Sequence, residues 1–297
     1  MERIQSAIAK ARAERRDVLA SGAVPAAASP AAASPAGRTP APAAPGDAAP
    51  APAAPAADAA AVAALWAALA GFQPDPRQLV RNRIVTAAGG REAVPFDVMR
   101  TRLIQQMRAN NWRRVAITSA TAACGKSTVA LNLGFGLARQ PDLRTVLCEM
   151  DLRRPTLSAI IGLREPLNFA RVIAGAAPFA DAARRIGGNL ALALNRGAVK
   201  NPAELLHGAA VGPALDRIEA EYAPDVMLFD MPPLLVSDDA MAFLGHVDCA
   251  ILVAAAEATT IKEIDTCERE LAAQTNVLGI VLNKCRYAGP DYGYEYY

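Results

Sequence analysis

Residues 114–128 read RVAITSATAACGKST, and the fold follows from this stretch. Arg114–Ser119 has the short, mostly apolar run of a buried strand, through Val115, Ala116, Ile117 and Thr118. A loop of small residues comes next: Ala120, Ala122, Ala123 and Cys124 ahead of Gly125-Lys126-Ser127-Thr128. An apolar helical run, VALNLGFGLAR, follows. Strand, small-residue loop, GK[ST] and helix is the context of a phosphate-binding loop. Backbone N–H groups of the loop and of the first helical turn converge there, and the helix dipole favours an anion. Lys126 adds a mobile cation for the β- and γ-phosphates, and the Ser127 hydroxyl is a ligand for Mg²⁺. The first glycine of the usual G-x-x-x-x-G-K-[ST] pattern is replaced by Ala120, where strain is expected if the position requires positive φ. Cys124 precedes a helix N-terminus, which predicts a lowered thiol pKa.

Outward from this loop, apolar strands alternate with helices. Arg144–Met150, Val226–Phe229, Val247–Ala254 and Val277–Asn283 read as strands, with a short one at Leu190–Leu194. Helices are predicted over Asp97–Asn110, from the loop to about Arg139, from Asn201-Pro202, over Ala214–Tyr222, and from a Thr260…Glu263 capping box to about Gln274. This alternation predicts an α/β fold, a P-loop NTPase with a mostly parallel central sheet and helices on both faces. Ligands of such sheets sit beyond the carboxyl ends of the strands. Glu149, Asp151 and Asp230 are all at such ends, so they are expected to meet the phosphate loop. Carboxylates beside phosphate require a cation between them. Mg²⁺ held by Ser127, Asp151 and Asp230 is the expected solution, with Lys126, Glu149, Asp151 and Asp230 as the catalytic set. One of the Glu149/Asp151 pair would accept the proton of an attacking hydroxyl. The alternative for that pair is a salt bridge to Arg153 or Arg154. Asn283, just past an apolar strand, is placed to read a base edge.

The rest of the 297-residue chain sets limits. Residues 1–19 read as an amphipathic helix, either solvated or docking a partner. Residues 20–80 form an Ala/Pro-rich, disordered linker with a possible short helix within 59–71 that packs on the domain or binds a partner. Residues 81–286 are expected to make up the P-loop ATPase domain, and 287–297 a tail. The 31 Lys+Arg against 29 Asp+Glu give a net charge of +2, no reason to expect nucleic acid. The five cysteines lack C-x-x-C spacing and read as reduced cytosolic thiols. There is no secretory signal and no membrane-length apolar run, so the expected location is cytoplasmic. Five of the six tyrosines, Tyr287, Tyr292, Tyr294, Tyr296 and Tyr297, fall in the last eleven residues, with Gly289, Pro290, Asp291, Gly293 and Glu295 between them. That clustering reads either as a set of modification sites or as an aromatic interaction peptide.

From about Asp97 to Tyr297 these motifs resemble the bacterial tyrosine kinase (BY-kinase) family, in the form of cytosolic autokinases of capsule and exopolysaccharide synthesis. The family carries a phosphate loop, a D-x-D-x-R strand end, an apolar-D-[ST]-P-P segment and a Tyr-rich tail. Here stand ATAACGKS, Glu149-Met150-Asp151-Leu152-Arg153, Asp230-Met231-Pro232-Pro233 and the five tyrosines. The resemblance implies ATP and Mg²⁺ as cofactors, with nucleotide held by Ala122, Ala123, Cys124, Gly125, Lys126, Ser127, Thr128, Arg153 and Asn283. It implies autophosphorylation of the tail tyrosines and control of polymerisation and export. The implied partners are a membrane chain-length-determinant protein as activator and inner-membrane tether, a tyrosine phosphatase, and further copies of the chain in a ring. Three departures stand out. Glu149 replaces the first Asp of D-x-D, Met231 replaces Ser/Thr, and the oligomerising E-x-x-R-x-x-R aligns with Val94, Asp97 and Arg100, keeping only the last Arg. The competing reading is an ATP-binding scaffold without kinase activity. The spatial ATPases of septum placement and chromosome partition share the fold but carry a second lysine early in the phosphate loop, and none is present here.

Overall fold

The computed structural model describes residues 59–286. The helix expected over 1–19, most of the linker, and the tail with its five tyrosines lie outside the described residues.

Strand β1 (Arg114–Ser119) is an interior strand of a seven-stranded sheet. In chain order the others are β2 (Thr145–Glu149), β3 (Ala183–Ile186), β4 (Leu190–Ala193), β5 (Val226–Asp230), β6 (Cys249–Ala255) and β7 (Asn276–Asn283). Across the sheet they run β3-β4-β2-β5-β1-β6-β7. All neighbours are parallel except β3 and β4. The interior strands β1, β2, β5 and β6 are buried almost throughout, as continuous apolar runs require when helices cover both faces. β3 was not foreseen: ARRI carries two arginines in four residues and lacks the apolar signature of a strand. It is an edge strand, and tertiary pairing with β4 holds it in place.

Helix α1 (Ala59–Ala68) settles the choice left open for the segment 59–71. Val62, Trp66 and Leu69 are buried in the core on one side of the sheet, while Leu65 faces solvent. The Trp66 indole N–H donates to the Tyr222 carbonyl at 2.8 Å. Next come α2 (Pro76–Arg81) and α3 (Val94–Asn110), which turns Leu103, Ile104 and Met107 inward. On α3, Asp97 and Arg100 pair within the chain: Arg100 donates to the Gly136 carbonyl at 2.9 Å, and Asp97 lies 2.9 Å from Arg139.

α4 (Lys126–Ala138) leaves the phosphate loop, and ten of its residues are buried. A helix apolar on every side belongs inside, and α4 is covered by the segment 83–86 and by α3. Its one polar core residue, Asn132, accepts from the amides of Val85 and Thr86 and donates to the Arg83 carbonyl at 2.9 Å. Three short helices follow β2: α5 (Leu157–Ile161), α6 (Phe169–Ile173) and α7 (Phe179–Ala182). Then come α8 (Pro202–Leu206), α9 (Val211–Tyr222), α10 (Asp239–Leu244) and α11 (Ile261–Ala272), the last opened by the expected Thr260/Glu263 capping box. All five cysteines are unpaired. Among the described residues no helix is long and apolar enough to cross a membrane.

Candidate functional site: a phosphate-binding loop ringed by carboxylates

The register of the sheet places the site. Ile117 of β1 and Glu149 of β2 both pair with Asp230, so the ends of β1, β2 and β5 are level. The phosphate loop closes over these ends. Thr118 donates its hydroxyl to the Pro232 carbonyl at 2.8 Å, and the Leu234 amide donates to the Ser119 carbonyl at 2.8 Å, fastening the Asp-Met-Pro-Pro segment alongside. Ala120 is fully buried and has no positive φ; the left-handed positions are Ala123 (φ 62°) and Gly125 (φ 94°). The strain foreseen at Ala120 therefore falls on Ala123, at the exposed crown of the loop.

Lys126 lies inside this ring and donates from Nζ to Asp151 Oδ2 at 2.8 Å. Burial pulls its ammonium pKa down, but Asp230, Asp151 and Glu149 more than reverse this and hold it above the ordinary value. Asp151 also accepts the Arg154 amide at 3.1 Å. Asp230 is fully buried, and neither of its carboxylate oxygens has a hydrogen-bond partner. Burial pushes its pKa up; Lys126 and the nearby Ser127 hydroxyl oppose the rise, and Asp151 adds to it. An orphaned buried carboxylate is expensive and is retained where something else satisfies it. A hard divalent cation such as Mg²⁺ fits. It takes one or two carboxylates and a hydroxyl together with phosphate oxygens, and Asp230, Asp151 and Ser127 supply that donor set. No group of three or more His, Cys, Asp or Glu suited to a metal occurs among the described residues.

Glu149 does different work from the role expected of it. Its Oε1 accepts the amides of Thr156 (2.6 Å) and Leu157 (2.7 Å), and Oε2 accepts the Asn195 amide (2.8 Å). It caps α5 and ties the end of β4 to β2, so three of the roughly four acceptor sites of its carboxylate are taken by backbone amides. Burial raises its carboxyl to about 7, against the pull of the three amides and with a further rise from Asp230. Asn283 departs from its expected role too. Its side-chain amide donates to the Cys124 carbonyl at 2.9 Å, and a Cβ at Gly125 would sit 2.2 Å from its nitrogen. Asn283 braces the phosphate loop against β7. Arg153 is held by Asp239 of α10, through Nε and, at 2.9 Å, through Nη2. It is this salt bridge, and not one to Glu149, that occupies the arginine.

Cys124 is buried, with its sulfur 3.6 Å from the hydroxyls of Thr121 and Thr259. Burial acts to raise its pKa, but those hydrogen bonds leave it lowered, the direction expected. Ala122, Ala123 and Thr128 lie at the loop surface or its flank, open to a ligand. Sequence reasoning passed over Thr156, whose hydroxyl donates to Ser127 Oγ at 3.4 Å, and Asn195 and Asp239. A lone Asn after the apolar run LALAL was a signal for Asn195; no local pattern marks Asp239.

The comparisons with known proteins agree with this geometry. No family model matches the chain. Tyrosine-protein kinase wzc of Salmonella typhi is 30% identical over 187 residues, spanning 61% of this chain but only 26% of that protein. Tyrosine-protein kinase YwqD of Bacillus subtilis is 29% identical over 185 residues, 61% of this chain and 77% of that one. The kinase domain of the Escherichia coli tyrosine kinase ETK superposes with a TM-score of 0.58 at 25% identity, covering 69% of this chain and 80% of that domain. With a phosphate loop on β1 and carboxylates on the ends of β2 and β5, the chain is similar in sequence and fold to bacterial tyrosine kinases, and it spans about a quarter of the length of the first of these relatives.

Proposed function

We propose that the protein is an ATP-dependent protein-tyrosine autokinase that phosphorylates its own tyrosine cluster, Tyr287, Tyr292, Tyr294, Tyr296 and Tyr297, and thereby regulates capsule or exopolysaccharide polymerisation and export. The observation that carries this reading is the buried, unpartnered Asp230 beside Lys126 and Ser127. Bound Mg²⁺ would neutralise charge on the phosphates of ATP and polarise the γ-phosphoryl group. The residues of the chain do the rest. Lys126, now paired with Asp151, exchanges that partner for phosphate oxygens. The carboxylate released, Asp151, is then free to accept the proton of an incoming tyrosine hydroxyl or to hold the metal. Backbone amides from Ala122 to Thr128 cradle the phosphates. Glu149, Asn195 and Asn283 keep the strand ends and loop in register without touching substrate.

In this proposal the protein works at the cytoplasmic face of the inner membrane, tethered and activated by a membrane chain-length-determinant protein. A tyrosine phosphatase reverses the modification, and copies of the chain assemble to present tails to one another's sites. One observation favours the alternative, an ATP-binding scaffold without kinase activity: both oxygens of Glu149 are engaged by backbone amides of the protein itself. The test is incubation of the full chain with Mg-ATP, with and without the partner's cytosolic segment, and mapping of phosphate by mass spectrometry. Tail phosphorylation that disappears in Lys126→Met is expected. An unmodified tail in a protein that binds ATP would assign the scaffold role instead.

A further inference from the structure

Beyond the end of β4 lies a groove of about 690 Å³. Its walls include Pro166, Leu167 and Leu205, and its charged residues are Arg171, Arg196 and Lys200, with no acidic residue lining it. Neither Arg196 nor Lys200 pairs with a carboxylate among the described residues, and Arg171 donates only to the Ala176 carbonyl at 3.3 Å. One wall of the groove is tied to the segment that follows β2: the Val199 amide donates to the Leu152 carbonyl at 2.9 Å, one residue past Asp151. Three unneutralised cations facing an apolar wall match one chemistry closely, an aromatic ring carrying a phosphate.

We propose that this groove binds phosphotyrosine of the chain's own segment 287–297. The inference rests on the reading of that segment as the phosphorylated one. Three considerations select this occupant. The segment carries Asp291 and Glu295 and no Lys or Arg, so its charge complements the groove even before phosphate is added. It departs from Arg286, three residues past the end of β7, on the same end of the sheet as the groove. From β7 to β4 is five strand spacings, roughly 24 Å, and an extended chain covers at most about 3.6 Å per residue. Tyr294, Tyr296 and Tyr297, eight to eleven residues beyond Arg286, therefore have the length to reach the groove, whereas Tyr287 does not.

Synthetic peptides of sequence 287–297, plain or with phosphotyrosine at position 296, test the groove by fluorescence anisotropy on the full, unphosphorylated chain. The phosphopeptide is expected to bind at least about tenfold tighter than the plain one. Arg196→Glu/Lys200→Glu, and the milder Arg196→Gln/Lys200→Gln, should remove that difference while the thermal midpoint stays unchanged, since both residues are exposed. Arg113→Glu, at the opposite end of the sheet, should leave it intact. Equal affinity for the two peptides, or no effect of either double substitution, overturns the proposal. A full chain carrying a phosphotyrosine tail joined by ligation should bind free phosphopeptide at least about tenfold more weakly, at every chain concentration. Masking that appears only as the chain is concentrated would give the groove to a second copy and overturn the assignment to the chain's own segment. Because these phosphates are introduced chemically, phosphopeptide binding by a protein that never phosphorylates itself would sustain the groove and remove only the kinase reading.

Discussion

Asp230 and Glu149 stand side by side in the register of β5 and β2, yet the fold treats the two carboxylates in opposite ways. Glu149 receives three amides and Asp230 none. Removing Glu149 strands three donors, each costing about 1–3 kcal/mol if buried and unmet. Glu149→Ala is therefore expected to lower stability by at least about 3 kcal/mol in urea unfolding, whether or not nucleotide is present. Asp230→Asn should do the reverse. It removes a buried charge that no protein group satisfies, so the unliganded thermal midpoint should hold or rise, and the further stabilisation by Mg-ATP should vanish. If Asp230→Asn unfolds the protein while keeping its response to Mg-ATP, the metal-facing role of Asp230 is wrong. His246 gives a pH test at the far end of the sheet. Burial and the neighbouring Arg114 lower its pKa, against Asp216, while its ring packs on Phe243 at 5.7 Å. The folded protein therefore resists a proton that the unfolded chain takes up near the ordinary histidine value of about 6.5. Stability contributed by neutral His246 is present above that pH and falls as pH drops below it. His246→Gln should lose less stability than the parent between about pH 6.5 and 5, measured by denaturant midpoints across that range.

Among the elements, α1 is the one whose sequence said least about its fate. Its residues are nearly all apolar, with no polar stripe to orient it, so composition left packing and partner binding equally open. Contact with α9 decides the matter. Trp66 is buried, packs edge-on against Tyr222 at 6.5 Å between ring centres, and satisfies a carbonyl at the end of α9. Trp66→Ala is expected to cost about 3–5 kcal/mol in equilibrium unfolding, a loss too large for a helix that merely awaited a partner. β7 is the opposite case. It was plain in the sequence as VLGIVLN, but its place at the sheet edge, with Ile280 and Leu282 exposed, was not. A run of apolar residues has the same signature in a central strand as in an edge strand, because periodicity records burial tendency and not neighbours.

For the whole molecule, ligand binding should travel along the sheet. The loop is held to β7 by Asn283, to β5 by Thr118 and to β2 by the Lys126–Asp151 pair. Mg-ATP at a hundred times its dissociation constant should add about 2.7 kcal/mol to global stability. Hydrogen exchange should slow at the ends of β1, β2 and β5 and at the loop amides, with less effect on β3. Asn283→Ala is expected to weaken nucleotide binding by about tenfold while leaving the unfolding midpoint close to that of the parent, because it loosens one brace of the loop and leaves the core intact. Calorimetric titration with Mg-ATP measures that loss directly.

The sequence alone was sufficient for six of the seven strands, the longer helices of the domain, the phosphate loop, and the carboxylates at strand ends, because each rests on local physics: apolar periodicity, caps, and a GKS turn ahead of a helix. It carried no information on which oxygen meets which donor. Asn195, Thr156 and Asp239 come to the site from segments far apart in the chain, and they decide that Glu149 is a cap and Arg153 a salt-bridge partner. Only the packed sheet, by levelling β2 with β5, left Asp230 as the acid with nothing to hold. Hydrogen bonds between distant segments are short-ranged and directional, so their pairing is written only in the folded arrangement and never in the chain's spacing.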